Sequence, residues 1–188
     1  FDLFDRSDRA VFVILAFELQ SAYNNWQNSK QQKLIVYNVP QHQAIDLVSG
    51  NSYKFIGDSI LQKEGLLQNF HLKPGRIAQQ LNNRTDSLAE VFQQGIFYQF
   101  SNKRIAIIDR PLTAVPLQQK INLDLLIISK NPKLSVSQLT AVFNCKQFVF
   151  DASNAGWKIE KWTAECKALH VNFYPIPVKG AFIYDTGM

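Results

Sequence analysis

The sequence predicts a layered α/β sandwich with mixed sheets, and three observations predict it. The first half carries short β-branched and aromatic runs separated by tight turns, which is the texture of antiparallel hairpins. The last third alternates apolar strands with amphipathic helices, the texture of β-α-β units. Between the two, LDLLIIS at 123–129 is a nearly unbroken apolar run, as expected of a strand covered on both faces. A chain of 188 residues that is 46% hydrophobic can bury one sizeable core without metals or disulfides as staples. Only 19% of residues are charged, which excludes a disordered charged tail, and no repeat with a solenoid or propeller period is present.

The chain starts at Phe1 and its only methionine is Met188, so it reads as a piece of a longer protein. AVFVILAF at 10–17 is an apolar run that Leu19, Ala22, Tyr23 and Trp26 extend at helical spacing, with Ser7 or Asp5 as the cap. A membrane-spanning helix needs roughly 20 apolar residues, so this run alone is too short. Two readings stand: a helix packed on the domain, or the end of a membrane-associated helix with Tyr23 and Trp26 as interfacial anchors. Asp2, Asp5 and Asp8 precede the run where a signal peptide would carry positive charge. Residues 1–32 are therefore set apart as an N-terminal helix and linker, and 33–188 as the domain.

KLIVYNV (33–39), QAIDLV (43–48) and SYKFIG (52–57) are consecutive antiparallel strands, punctuated by Pro40 and by the turn at Ser49, Gly50 and Asn51. Leu66, Leu67, Phe70, Ile77 and Leu81 predict helical segments interrupted at Pro74 and Gly75. IFYQF (96–100) and RIAIID (104–109) form a second hairpin about Ser101, Asn102 and Lys103. After the 123–129 strand, Ser135 and Gln138 make a capping box that opens a helix to about Phe143, and QFVFD (147–151) is the next strand. Asp151, Ser153 or Asn154 caps a further helix with Ile159, Trp162, Cys166 and Leu169 on one face and Lys158, Lys161 and Lys167 elsewhere. VNFY (171–174) and AFIYD (181–185) are the closing strands.

The formal charge is +5, divided as −1 over residues 1–32 and +6 over the remainder. The lysines are scattered, without the basic run that marks many nucleic-acid binders. Cys145 and Cys166 form no CxxC and read as buried free thiols, with a single disulfide as the alternative in an oxidising compartment. His42, His71 and His170 stand apart from one another, outside any HxH or HExxH pattern, so there is no local metal nest and no metal or other cofactor is expected. GxSxG, P-loop and GxGxxG motifs are absent. Asp46, Asp58, Asp109 and Asp151 each lie at or near a predicted strand end, and without a companion His, Lys or Arg motif they read as structural caps.

The ordered strands resemble the C-terminal metallo-β-lactamase-like domain of the ComEC family of DNA-uptake membrane proteins, and look most like its Bacteroidetes branch. LIVYNVPQHQAIDLVSGNSYKFIGD (34–58) is similar to the family's opening strands and V-G-Q-G-D-A turn, with Val39, Gln41 and Ala44 to Asp46 in the turn and Asp58 at the hairpin end. RIAIID (104–109) resembles the strand carrying T-G-D, and LDLLIISKNPK (123–133) the strand running into H-H-G-S. FVFDASNAGWKIEKWTAECKALHVNFYPIPVKGAFIYDT (148–186) resembles the closing strand, helix and final strand pair. The resemblance implies an αββα sandwich of metallo-β-lactamase type, here incomplete.

Where active relatives place H-x-H-x-D-H, residues 59–76 hold His71 alone; Asp109 keeps the T-G-D aspartate behind Ile108; and Lys130, Asn131, Pro132 and Lys133 replace H-H-G-S. A two-metal hydrolase needs ions held a few ångström apart, so the resemblance implies the setting while these departures argue against nuclease chemistry. The expected function is a catalytically degenerate structural or DNA-guiding domain of a DNA-internalisation channel. Lys130 and Lys133 are the candidate DNA contacts, and Asp109 is the residual family site position. The expected partners are DNA and the channel portion of the same polypeptide. The expected place is the inner membrane, with the domain on its non-cytoplasmic side. Two alternatives stay open: a phosphodiesterase retaining one metal through Asp109 and His71, and an interaction module that never touches DNA.

Overall fold

The computed structural model describes residues 6–112 and 119–187. The chain opens with helix α1 (Arg6–Ser29), then strands β1 (Gln32–Val36), β2 (Ala44–Ser49) and β3 (Ser52–Gly57). A 3-10 turn at Ser59–Gln62 and a π-turn at Gln68–Leu72 lead into α2 (Lys73–Ala78) and a short strand β4 (Asn83–Arg84). Strands β5 (Val91–Gln94), β6 (Phe97–Phe100) and β7 (Lys103–Ile108) follow, then β8 (Ile121–Ile128), α3 (Val136–Val142) and β9 (Phe143–Phe150). Helix α4 (Gly156–Ala168), strand β10 (Phe173–Pro175), a single helical turn α5 (Ile176–Lys179) and strand β11 (Phe182–Asp185) complete the order.

These strands form two mixed sheets, ordered β11-β1-β2-β3-β4 and β10-β9-β8-β7-β6-β5. In the first, β11, β1, β2 and β3 are antiparallel neighbours and β4 pairs parallel to β3. In the second, a β5-β6-β7 meander joins the parallel run β7-β8-β9-β10. Alternation along the strands sorts the apolar side chains into three layers. Leu34, Val36, Ile45 and Leu47 of the first sheet face Ile105, Ile107, Leu125, Ile127 and Val149 of the second, and this is the central core. The other face of the second sheet presents Ile108, Leu126, Ile128, Phe148 and Phe150 to Leu139, Ile159, Trp162 and Cys166 of α3 and α4. The outer face of the first sheet is covered more thinly, by Leu61, Leu72 and Leu81 over Ile35, Tyr37 and Val48. The predicted layered α/β sandwich is therefore what forms, with helical segments on both outer faces.

Local chemistry explains where the elements begin. Ser135 and Gln138 close the predicted capping box in both directions at the start of α3. Pro74 does not interrupt a helix as expected: it sits in the first turn of α2, where its missing N–H is no loss. Of the residues expected to mark helical segments over 61–82, Leu81 is buried and Leu67 packs on the core, but Leu66, Phe70 and Ile77 are exposed while Leu61 and Leu72 are buried in their stead. Two short irregular turns replace a regular period there, so a 3.6-residue count picks the wrong side chains. Leu169 likewise falls off the α4 stripe, as the half-exposed residue that ends the helix. Cys145 and Cys166 are free, and burial pushes both thiols up to about 12.

Helix α1 is exposed along its apolar run, with Phe12, Val13, Ile14, Phe17 and Leu19 all open to solvent. Of its expected caps, Asp5 lies outside the described residues and Ser7 lies inside the helix. No helix among the described residues is long and apolar enough to cross a membrane.

Candidate functional site

One end of the sandwich gathers four loops: 37–43 between β1 and β2, Asp58 after β3, 129–135 after β8 and 151–155 after β9. The last two leave the carboxyl ends of adjacent parallel strands, the edge where α/β sheets place their polar groups. The β2-β3 pairing runs from Ser49 and Ser52 to Ala44 and Gly57, and the Asp58 amide extends it by donating to the Gln43 carbonyl at 3.0 Å. Gly57 permits this close approach, since a Cβ there would lie 2.2 Å from the Gln43 carbonyl oxygen. The hairpin geometry therefore brings His42 onto Asp58, with Nδ1 3.0 Å from Oδ2. From the other sheet, Lys130 Nζ reaches Asp58 Oδ1 at 3.1 Å. His42, Asp58 and Lys130 thus form a charged clasp between the two sheets. Partial burial alone would raise the Asp58 carboxyl, but hydrogen bonds from His42, Lys130 and the Gln43 amide outweigh it and hold the group below its ordinary value.

A second, buried cluster holds Lys130 in place. Asp151 is fully buried and accepts hydrogen bonds from the Ser129 and Ser153 hydroxyls, from the Ser153 amide at 3.0 Å and from Asn154 Nδ2 at 3.0 Å. Burial pushes this carboxyl up to about 7 even against those donors. Ser153 and Asn154 are in turn bound to the neighbouring loop: the Lys130 amide donates to Ser153 Oγ at 2.6 Å and the Asn131 amide to Asn154 Oδ1 at 3.0 Å. Lys130 and Asn131 stand at φ 59° and 56°, two successive left-handed residues that persist only where their surroundings fix them. Gln41, also left-handed at φ 66°, donates its amide to the Ala152 carbonyl at 2.9 Å and ties in the third loop. Residues expected to cap α4 are spent on this cluster; the cap position falls to Ala155, without a side-chain hydrogen bond.

The sequence-predicted positions separate into distinct places. Lys130 is locked on Asp58, whereas exposed Lys133 lines a groove of about 410 Å³ with Trp157, Lys158, Lys161 and Trp162. Asp109 follows β7 and faces Arg110 Nε at 3.6 Å. His71 lies in the π-turn, half-buried. Ala44 to Asp46 are not in the turn but inside β2. Asp46 is no strand-end cap either: it is fully buried at mid-strand, where Arg76 grips both its oxygens at 2.8 and 3.0 Å and Tyr37 donates at 2.8 Å. Asp46 and Asp58 thus do have basic companions, which no local motif announces because they lie 30 and 72 positions further along.

The metal centre that the resemblance implies does not fit the residues present. Among the described residues no three His, Cys, Asp or Glu side chains converge as an ion requires. The carboxylate best placed to start such a site, Asp58, already has its charge compensated by an ammonium group. A metal ion needs that oxygen free and further donors beside it.

The clasp has a testable pH signature. Because the folded Asp58 titrates below its unfolded value near 3.9, its stabilisation is present above about pH 4 and lost as pH falls through the folded value. Denaturant unfolding should find Asp58→Asn less stable than the wild type at pH 7 by about 1 kcal/mol or less, as for partly exposed pairs, with the difference shrinking as pH falls below about 4. A difference that stays constant across that range would show that Asp58 is not the ionised partner.

The sequence model of the ComEC C-terminal domain family matches residues 34–186. No curated protein and no solved structure matches the chain significantly. The match spans every strand beyond the first residues of β1, together with the three loops of the clasp and the buried Asp151 cluster. On that breadth, the chain belongs to the ComEC C-terminal domain family, which serves DNA uptake.

Proposed function

We propose that this chain is a non-catalytic domain that guides DNA at the mouth of a ComEC-type channel during natural transformation. The observation that carries the reading is the Asp58 to Lys130 ion pair at 3.1 Å, a fixed positive charge set where active relatives are expected to gather metal ligands. Two-metal phosphodiester hydrolysis needs paired ions to activate water and clamp the phosphate; an ammonium on the carboxylate supplies neither function. The basic character that DNA binding needs comes from the +6 carried by residues 33–188 as a whole. Lys130 and Lys133 are the proposed DNA contacts, and Asp109 persists as a family position without a catalytic role.

Proteins of this family are inner-membrane proteins. We read α1 as the membrane-proximal segment: its apolar run is exposed, its Tyr23 and Trp26 rings lie 6.3 Å apart, and Lys30 Nζ stands 3.9 Å from the Trp26 ring centre. Aromatic rings beside a basic group suit a headgroup layer. The domain then lies on the non-cytoplasmic side, where incoming DNA arrives.

The test uses the purified 188-residue chain and the full-length channel protein in its host. DNA binding at low salt that weakens linearly with log salt, together with reduced transformation in a Lys130→Glu/Lys133→Glu variant, is the expected result. Exposed Lys133→Glu alone serves as the variant least able to disturb folding. Absence of DNA binding together with intact transformation overturns the reading in favour of a docking module. Stoichiometric zinc or manganese, with nuclease activity lost in Asp109→Ala, overturns it in favour of a metal-dependent phosphodiesterase.

A further inference from the structure

The groove beside α4 has a composition that the clasp does not share. It runs between the 132–135 loop and the first turns of α4, with a volume of about 410 Å³. Trp157 stands at its lip with 65% of its surface exposed, an unusual placement for the largest apolar side chain. Trp162, by contrast, forms the groove's floor: it is 1% exposed and donates its indole N–H to the Leu134 carbonyl at 3.2 Å. Three lysines line the same groove, Lys133, Lys158 and Lys161, and no acidic residue does. Lys158 is held in place by the Asn131 and Pro132 carbonyls, with its Nζ 5.6 Å from the Trp157 ring centre, so its charge is fixed beside the indole. Lys161 makes only a loose contact with Glu165, at 4.0 Å. The Glu165 carboxylate is itself occupied by the Val136 amide at 2.6 Å.

We infer that this groove is a binding site for single-stranded nucleic acid, with a base stacked on Trp157 and the flanking phosphates held by Lys133, Lys158 and Lys161. The inference rests on the DNA-guiding reading and gives it a site separate from the clasp. An exposed indole ringed by ammonium groups offers both parts of sequence-tolerant strand binding, a flat apolar face for a base and positive charge for the backbone. In a duplex the base faces are already stacked on one another, so the ring would have nothing to receive. An apolar peptide would gain the indole but leave the lysines without partners.

The experiment measures binding of a fluorescein-labelled 20-nucleotide deoxythymidine strand to the 188-residue chain by anisotropy over a range of salt. Trp157→Ala should raise Kd at least about fivefold, the lower bound for losing one stacked base, and Trp157→Phe should restore most of it. Lys133→Gln/Lys161→Gln should lower the slope of log K against log salt by about 1.4, since each phosphate contact on a single strand contributes about 0.7. Lys73→Gln, on the opposite outer face, should leave Kd within twofold of the wild type. Strand binding that is unchanged in Trp157→Ala sinks the groove while leaving the DNA-guiding reading intact. Equal competition by duplex DNA, or by polyglutamate, sinks the stacking assignment. Failure of the wild-type chain to bind any DNA at low salt removes the guiding reading and the groove together.

Discussion

Replacing Asp46 with alanine is expected to lower the stability of the folded chain by about 3–5 kcal/mol, a drop of roughly 6–20 °C in Tm for a domain of this size. Asp46 is fully buried in β2 and Arg76 is 93% buried above it, so neither charge can fall back on water when the other is removed. The Arg76 guanidinium meets the carboxylate through two hydrogen bonds and lies 4.3 Å from the Tyr53 ring centre and 5.4 Å from that of Phe55. Burial alone would lower the Arg76 pKa, but the carboxylate outweighs it and holds the group above its ordinary value. This pair fastens α2 and its preceding turns to the first sheet, where the apolar cover is thin. Arg76→Met should be similarly damaging, because it leaves a carboxylate and the Tyr37 hydroxyl facing a dry pocket. The double replacement Asp46→Leu/Arg76→Met should recover most of the loss, as buried pairs exchanged for apolar groups of similar volume often do. Denaturant unfolding of the wild type, Asp46→Leu, Arg76→Met and Asp46→Leu/Arg76→Met forms a double-mutant cycle. Single variants within about 1 kcal/mol of the wild type would show the pair to be solvated.

Asp151→Ala is the second large expected effect, a loss of about 2–4 kcal/mol. Four donors converge on this carboxylate, and its removal strands the two hydroxyls and the Ser153 amide in a buried space, while Asn154 Nδ2 keeps the Ile128 and Asp151 carbonyls. The damage should propagate to the 129–135 loop, because Ser153 and Asn154 hold the amides of Lys130 and Asn131 in their left-handed conformations. Hydrogen exchange at those two amides should therefore accelerate more than at β8 itself. The pH dependence has the opposite sign to that of Asp58. With a folded value near 7 and an unfolded value near 3.9, Asp151 contributes most below about pH 4 and progressively less as pH rises to about 7. In Asp151→Ala that decline should disappear. An unchanged pH profile, or exchange unaltered at Lys130 and Asn131, would sink this account of the cluster.

The fold was largely legible because its strongest signals are local. Alternation in SYKFIG, the unbroken LDLLIIS and the Ser135 capping box each depend on a few consecutive residues, and each appears where expected. The segment from 59 to 82 was not legible, since 3-10 and π turns have no periodicity to read and Pro74 is compatible with both the start and the end of a helix. Strand β5 also escaped: VFQQ has one β-branched and one aromatic residue and is mostly exposed. The site was legible as a set of positions but not as a set of contacts. Lys130 was singled out, yet its partner Asp58 lies on the other sheet, and only the packing of the two sheets joins them. Counting outward from the turn at Gly50 sets Asp58 opposite Gln43, so His42 could have been found one position from the matched residue. The serines and asparagine around Asp151 carry no such mark, being indistinguishable in sequence from ordinary turn residues.

The pairing of β11 with β1 also bears on how the chain is made. Lys33 to Val36 find their outer neighbours only in Phe182 to Asp185, about 150 positions later. At roughly 5–20 residues per second of synthesis, that interval leaves one side of β1 unpaired for about 8–30 s on the ribosome. During that time LIV at 34–36 offers bare backbone donors and acceptors to any neighbouring strand. Strand β11 thus seals β1, and this sheet cannot close until residues 33 to 185 have all emerged.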